Sequence, residues 1–156
     1  MDLANFLKEI ASEQGQEEGD FLTNYTFKIG ETLPKKTSGV VYGFVVKLNA
    51  QEKLDLFNEA KKLGGNKFDE DSKTKAIIND YYPIYWGKNS DIFGRMNAHV
   101  NGHQGGNSNL RLKDYSTLED REILYARIYL NNNEKFESYL ISNYPPLLKT
   151  RKQWNP

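Results

Sequence analysis

One short segment constrains the fold of this chain more than any other. Residues 39–46 read Gly-Val-Val-Tyr-Gly-Phe-Val-Val, so that nearly every side chain is β-branched or aromatic. Such side chains favour the extended backbone of a β-strand. We therefore expect this segment to be a core strand of a β-sheet, with the remaining elements arranged around it.

Two further segments predict the other core strands. Residues 84–86, Ile-Tyr-Trp, form a short extended run that stops at Gly87. Residues 122–130 alternate regularly, with Leu124, Ala126, Ile128 and Leu130 on one face and Ile123, Tyr125, Arg127 and Tyr129 on the other. A period of two is typical of a strand whose two faces meet different surroundings. Residues 21–29 also read as extended.

Three other segments have apolar residues at helical spacing, which predicts helices beside the sheet. The first spans residues 2–13 and is followed by an acidic linker to residue 20. The second begins at Asn49, which forms a capping-box pattern with Glu52. The third covers residues 134–143 and is stopped by two prolines. The sequence therefore predicts an α+β fold, a small central antiparallel sheet of three core strands flanked by helices.

Length and composition indicate a single domain over residues 1–156 and exclude several classes of site. The absence of cysteine excludes a disulfide framework, a cysteine-ligated zinc ion and a thiol nucleophile. The first residues lack the basic and apolar regions of a signal peptide, and no apolar run has the length of a membrane helix. We expect a cytoplasmic protein with no membrane partner.

Charge is balanced overall but unevenly distributed. Lys and Arg number 21, as do Asp and Glu, so the formal net charge is zero. This balance argues against indiscriminate binding of polyanions. Residues 1–20 are strongly acidic, whereas the C-terminal segment carries Lys149, Arg151 and Lys152 without an acid. Any nucleic-acid surface is therefore expected near the middle and the C-terminus of the chain.

The segment from Tyr85 to His99 carries groups suited to an anionic substrate. A helix is expected to begin near Ser90, after the turn at Gly87. Arg95 and His99 are four residues apart and would share one face of that helix, and His103 would extend the row. A phenol at a strand end would then face a guanidinium and an imidazole.

This order of residues resembles the second half of the GIY-YIG nuclease motif, in which a strand ending in Tyr-x-Gly precedes a helix with Arg-xxx-His. Residues 85–87 stand for the second tripeptide, with Trp86 in place of the usual aliphatic residue. Tyr42, in the first predicted strand, would be the tyrosine of the first tripeptide, with Val40 at its glycine position. The resemblance implies a GIY-YIG nuclease-like fold for the whole chain.

The connection between Tyr42 and Tyr85 is much longer than in many members of that family, because the two tyrosines are 43 positions apart. We interpret residues 49–80 as an insertion, which several type II restriction endonucleases of the family also have. The insertion would either contact DNA or add to the packing of the domain, and the sequence leaves both uses open.

The last predicted helix supplies a third part of the resemblance. Glu137 lies among apolar neighbours, and a carboxylate in such surroundings is costly to desolvate unless it finds a cation or hydrogen-bond donors. The segment that follows it, ending in Asn155, resembles the closing pattern of the family, in which a helical glutamate precedes a Tyr-Pro segment and an asparagine.

The resemblance implies a metal-dependent DNA endonuclease, and each candidate residue takes a role from it. Tyr42 would orient or deprotonate the attacking water with help from His99, and Tyr85 would bond the water or the phosphate. Glu137 would hold one Mg²⁺ or Mn²⁺ ion, a hard cation that suits one carboxylate, water and phosphate oxygens. Arg95 would contact the phosphate, and Lys88 and His103 would make further contacts with the substrate. Asn155 would support the structure of the site.

Other readings remain open. Arg95 and His99 would equally suit a solvated helix face, and the spacing of His99 and His103 alone is a weak zinc pattern. The alternative function is a non-catalytic nucleic-acid-binding module on the same fold. A third is an interaction protein that dimerises through residues 2–13. A homodimer would also be needed for a restriction enzyme to cut both strands symmetrically.

Overall fold

Four antiparallel strands form the sheet at the centre of the computed structural model, in the order β1-β4-β2-β3. The strands are β1 (Glu18–Phe27), β2 (Val40–Lys47), β3 (Tyr81–Asn89) and β4 (Ile123–Leu130). The structure describes residues 1–16, 18–33, 40–63, 74–89, 99–101, 110–150 and 153, with the backbone alone for residues 18–23 and 89. Within these residues the predicted α+β architecture, an antiparallel sheet flanked by helices, is confirmed.

The predicted number of strands is wrong, because the sheet has four strands and not three. The additional strand is β1, which was predicted only as an extended segment. It pairs with β4, placing Tyr25 opposite Tyr125 and Phe27 opposite Ile123. A strand at the edge of a sheet is paired on one side only, and its partner lies far along the chain. Local periodicity therefore indicates the extended backbone of β1 but not its place in the sheet.

In the described part of the chain the longer helices beside the sheet are α1 (Leu3–Glu13), α2 (Ala50–Leu63) and α3 (Asn133–Asn143). Residues 99–101 are also helical, and two short 3₁₀ helices cover Leu112–Asp114 and Ser116–Leu118. The predicted capping box of α2 is confirmed, since the Asn49 amide donates to Glu52 at 3.0 Å and the Glu52 amide donates to Asn49 at 2.8 Å. Local hydrogen bonds of this kind determine where α2 begins.

The two faces of the sheet pack against different elements. We call them the α2 face, covered by α2 and the 3₁₀ helices, and the α1–α3 face, covered by α1 and α3. Tyr42, Phe44 and Tyr125 lie in the apolar cluster of the α2 face. Val41, Trp86 and Ala126 lie in the cluster of the α1–α3 face. The predicted alternation of residues 122–130 is thus confirmed, because successive residues of β4 enter different clusters.

Helix α2 lies within the predicted insertion at residues 49–80 and belongs to the core. Leu56 and Ala60 are fully buried in the cluster of the α2 face. This part of the insertion therefore packs the domain, which is one of the two uses that the sequence leaves open.

The C-terminal segment covers the outer edge of β3. The amides of Leu147 and Leu148 donate to the carbonyls of Pro83 and Ile84, each at 2.9 Å. The side chain of Gln153 donates to the Trp86 carbonyl at 2.7 Å. These bonds satisfy backbone groups that an exposed edge strand would offer to other chains. They also fix the end of β3 that leads to Gly87 and Lys88.

Among the described residues no helix is both long and apolar enough to cross a membrane.

Candidate active site

Two glycines let β2 and β3 pack closely at the centre of the candidate site. Gly87 lies opposite Tyr42, and Gly43 lies opposite Trp86. A Cβ atom on Gly87 would be 2.6 Å from the ring carbon Cζ and from the hydroxyl oxygen of Tyr42. The Tyr42 ring therefore lies across Gly87, which explains why the Tyr-Trp-Gly segment needs a residue without a side chain at its third position.

The hydroxyl of Tyr42 is hydrogen-bonded to His99. The Nε2 atom of His99 lies 3.0 Å from that oxygen, and the backbone amide of Leu110 donates to Nδ1 of the same ring at 3.1 Å. His99 is fully buried. The strand β2 and the helical residues 99–101 thus bring together two candidate residues that are 57 positions apart in the chain.

Two further tyrosines complete this group, which we call the tyrosine–histidine cluster: Tyr42, Tyr85, His99 and Tyr125. The ring centroid of Tyr85 is 4.5 Å from that of His99 and 6.2 Å from that of Tyr42. The ring of Tyr125 lies 6.0 Å from Tyr42 on the opposite side. The structure therefore brings three predicted site residues, Tyr42, Tyr85 and His99, into one cluster on the α2 face.

Arg127 stands beside this cluster and was not predicted as a site residue. It is directly opposite Tyr42 in the pairing of β2 with β4, and its side chain is hydrogen-bonded to Tyr125. Burial raises the pKa of the Tyr125 hydroxyl, while the positive charge of Arg127 and this hydrogen bond lower it. The alternation of β4 placed Arg127 on the face of Tyr125, but only the register with β2 shows that Tyr42 is its neighbour.

Glu137 lies at the outer edge of β3, beside Lys88. Burial raises the pKa of its carboxyl group to about 7. The ammonium group of Lys88 and a hydrogen bond from the Lys88 backbone amide lower that pKa, whereas the charge of Glu134 raises it. Lys88 also pairs with Glu134, with 3.7 Å between Nζ and Oε1. The carboxyl group is therefore held by β3 although it comes from α3.

The Glu137 carboxylate and the Tyr42 hydroxyl approach successive residues of β3 from elements that cover opposite faces of the sheet. The carboxylate accepts a hydrogen bond from the Lys88 amide. The hydroxyl lies over Gly87, the residue before Lys88. Bond lengths and hydrogen-bond distances then limit the separation of the two oxygens to roughly 10 Å. Gly87 and Lys88 thus connect the acidic and the phenolic parts of the candidate site.

Glu137 is the candidate carboxylate for a metal ion, and the Lys88 ammonium group and amide lie beside it. Within the described part of the chain, no group of three or more His, Cys, Asp and Glu residues could hold an ion. Desolvation disfavours the charged form of Glu137, so a divalent cation beside it would relieve that penalty. Mg²⁺ or Mn²⁺ suits such a position when water and phosphate oxygens supply the other ligands.

Three predicted site residues, Arg95, His103 and Asn155, lie outside the described residues, as does the predicted start of their helix near Ser90.

Comparison of the chain with protein-family models, with curated proteins and with solved structures gives no match.

Proposed function

We propose that this chain is a metal-dependent endonuclease that hydrolyses DNA phosphodiester bonds in the cytoplasm, as a GIY-YIG-type nuclease related to type II restriction enzymes. The observation that supports this proposal most is the 3.0 Å contact between His99 and the Tyr42 hydroxyl, beside Tyr85 and across Gly87. A hydrogen-bonded phenol lies over Gly87, and a carboxyl group with a pKa of about 7 is bonded to the next residue of β3. Such perturbed groups concentrate at catalytic sites.

Hydrolysis of a phosphodiester requires a positioned water molecule, stabilisation of the charge at phosphorus and assistance to the leaving oxygen. Tyr42 would bond and orient the water, held in place by His99. Tyr85 would bond the water or a phosphate oxygen, and Lys88 and Arg95 would supply positive charge to the phosphate. Asn155 and His103 would take the supporting and substrate-binding roles that the family resemblance implies.

Glu137 would hold the single Mg²⁺ or Mn²⁺ ion. Such an ion supplies positive charge at the phosphate oxygens and polarises the bond that breaks. The carboxyl group must be ionised to bind the ion. Metal binding would therefore lower the pKa of Glu137 from its value of about 7.

The proposal is tested by incubating supercoiled plasmid with the full chain and Mg²⁺, with EDTA as the metal-free control. We expect nicked or linear DNA from the wild type, and a loss of rate of about a hundredfold or more in Glu137→Gln. The matched control is Glu122→Gln, because Glu122 is an exposed carboxylate that precedes β4 and is not among the groups that perturb Glu137. Equal rates in the two variants would contradict the role of Glu137.

A second candidate function is a nucleic-acid-binding module without catalysis. It is favoured by the burial of the cluster, since the exposed fractions of Tyr42, Tyr85 and His99 are 2%, 4% and 0%. Aromatic residues so deeply buried also stabilise a core without any chemistry. Under this alternative, DNA binding would weaken linearly with the logarithm of salt concentration, and no divalent metal would produce cleavage.

A restriction enzyme that cuts both strands at one symmetric site would act as a homodimer. The mass of the protein in light scattering, measured alone and with duplex DNA, tests this part of the proposal.

A further inference from the structure

Both ring nitrogens of His99 have a partner in the interior of the protein. The Leu110 amide, which can only donate, points to Nδ1 at 3.1 Å. The Tyr42 hydroxyl, which can either donate or accept, lies 3.0 Å from Nε2. Only the first contact determines the role of its ring nitrogen. A backbone amide can only donate, so the nitrogen that it faces must accept.

We propose that His99 is a neutral imidazole protonated at Nε2, which donates to Tyr42 and does not receive the proton of that tyrosine. Nδ1 must carry a lone pair to accept the Leu110 amide, so the single proton of the neutral ring is at Nε2. The opposite tautomer and the imidazolium would both place an N–H against the Leu110 N–H in a fully buried site. Two N–H groups that face each other in a buried site disfavour such states by roughly ten- to a hundredfold.

The consequence for the proposed nuclease is that His99 acts as a positioning residue. The hydroxyl oxygen of Tyr42 accepts a hydrogen bond from Nε2, which keeps the ring oriented across Gly87. The same bond would stabilise a negative charge on that oxygen. This consequence depends on the proposed function, whereas the tautomer depends only on the contacts of the ring.

The tautomer is measured directly by long-range ¹H–¹⁵N correlation spectra of the full chain. The chain has two histidines, so His103→Gln leaves His99 as the only imidazole. We expect a protonated Nε2 and an unprotonated Nδ1 at about pH 7. A protonated Nδ1, alone or in the imidazolium, would overturn the proposal.

Two substitutions of His99 test the positioning role. The amide nitrogen of Gln occupies nearly the position of Nε2 and can donate to Tyr42, whereas Asn is too short to reach it. We expect His99→Gln to keep cleavage within about tenfold of the wild type and His99→Asn to lose about a hundredfold. If Gln is as inactive as Asn while both variants are folded, a donor to Tyr42 is not what His99 contributes, and the positioning role is wrong. If the wild type does not cleave DNA, the proposed function fails, while the spectra still decide the tautomer.

A separate observation concerns Arg127, for which we infer contact with a phosphate of the nucleic acid. Its Cα is paired with that of Tyr42, so the two side chains project from the same face as cross-strand neighbours. Its bond to Tyr125 holds the guanidinium beside the cluster. Arg127 is half-buried whereas Tyr42 and Tyr125 are buried, so it lies where this part of the face reaches solvent. A guanidinium in that position suits a phosphate.

The salt dependence of DNA binding tests this inference, which rests on the proposed function. Arg127→Gln should weaken binding and reduce the slope of log Kd against log salt by about 0.9, the value for one duplex phosphate. The control is Lys8→Gln, which removes one charge from α1 on the α1–α3 face and should leave the slope unchanged. An unchanged slope in Arg127→Gln would overturn the inference alone. Absence of DNA binding by the wild type would instead reject the proposed function.

Discussion

At the scale of single residues, the candidate site depends on a position that has no side chain. Gly87 and Gly43 both lie under aromatic rings, but the rings belong to opposite faces of the sheet. A Cβ on Gly87 meets Tyr42 at 2.6 Å, and a Cβ on Gly43 meets Trp86 at 2.3 Å. The first ring belongs to the tyrosine–histidine cluster and the second to the core of the α1–α3 face. Gly87 therefore makes room for a ring of the candidate site, whereas Gly43 makes room for a ring of the core on the other face.

We expect Gly87→Ala and Gly43→Ala to lower the free energy of unfolding by about 1–3 kcal/mol each, because both overpack a closed contact. Only Gly87→Ala should also disturb the Tyr42–His99 contact, visible as a shift of the His99 ring signals in NMR spectra. Denaturant unfolding measures the stability of both variants. A Gly87→Ala protein as stable as the wild type would contradict the close approach of Tyr42.

The raised pKa of Glu137 predicts a pH dependence of stability. Between pH 4.5 and about 7, the folded state binds more protons at this carboxyl group than the unfolded state does. Its contribution is therefore fully present below pH 4.5 and is lost as the pH rises through about 7. The full shift corresponds to at most about 3 kcal/mol, and partial solvation reduces it to about 2 kcal/mol.

Glu137→Gln, which stays neutral, should therefore gain stability relative to the wild type as the pH rises from 5 to 8, by about 2 kcal/mol. Glu122→Gln should show no such gain, because Glu122 is exposed and is not among the groups that perturb Glu137. Chemical denaturation of the three proteins at both pH values measures the difference. Parallel pH profiles for wild type and Glu137→Gln would show that the Glu137 pKa is not raised.

At the scale of secondary structure, local patterns were sufficient for some elements and not for others. The alternation of β4, the apolar stripe of α1 and the capping box of α2 each depend on residues close together in the chain. These elements were predicted correctly. The pairing of β1 with β4 and the closeness of Arg127 to Tyr42 depend on the register between distant segments. No local pattern contains that register, so the place of β1 in the sheet and the position of Arg127 beside Tyr42 were not predicted.

Helix α2 offers a test of whether the predicted insertion belongs to the core. Leu56 has no exposed surface, whereas Leu54 in the same helix is 51% exposed. We expect Leu56→Ala to lower the free energy of unfolding by about 2–5 kcal/mol, through lost burial and the cavity left behind. Leu54→Ala should change it by no more than about 0.5 kcal/mol. Similar losses in the two variants would contradict the packing of α2 described above.

At the scale of the whole molecule, the sheet brings together residues that the sequence separates widely. Tyr42 and Tyr85 meet because β2 pairs with β3, and the carboxyl group of Glu137 binds the edge of β3 at Lys88. The family resemblance named the two tyrosines and the glycine of the motif without a physical reason for the glycine. The structure supplies that reason, because a side chain on Gly87 would collide with the Tyr42 ring. A net charge of zero argues against a general electrostatic attraction for DNA. Any contact with phosphate would therefore depend on local cations, among them Lys88 and Arg127.

The role of the Tyr42 hydroxyl is tested most directly by the rate at which Tyr42→Phe nicks supercoiled plasmid in the presence of Mg²⁺. The matched control is Tyr25→Phe, because Tyr25 lies on the same face and its hydroxyl bonds the Thr32 carbonyl. We expect Tyr42→Phe to lose about a hundredfold in rate, as for loss of a group that positions the attacking water, and Tyr25→Phe to cleave like the wild type. Equal rates for the wild type and Tyr42→Phe, with both proteins folded, would show that the Tyr42–His99 pair is part of the core and not of an active site.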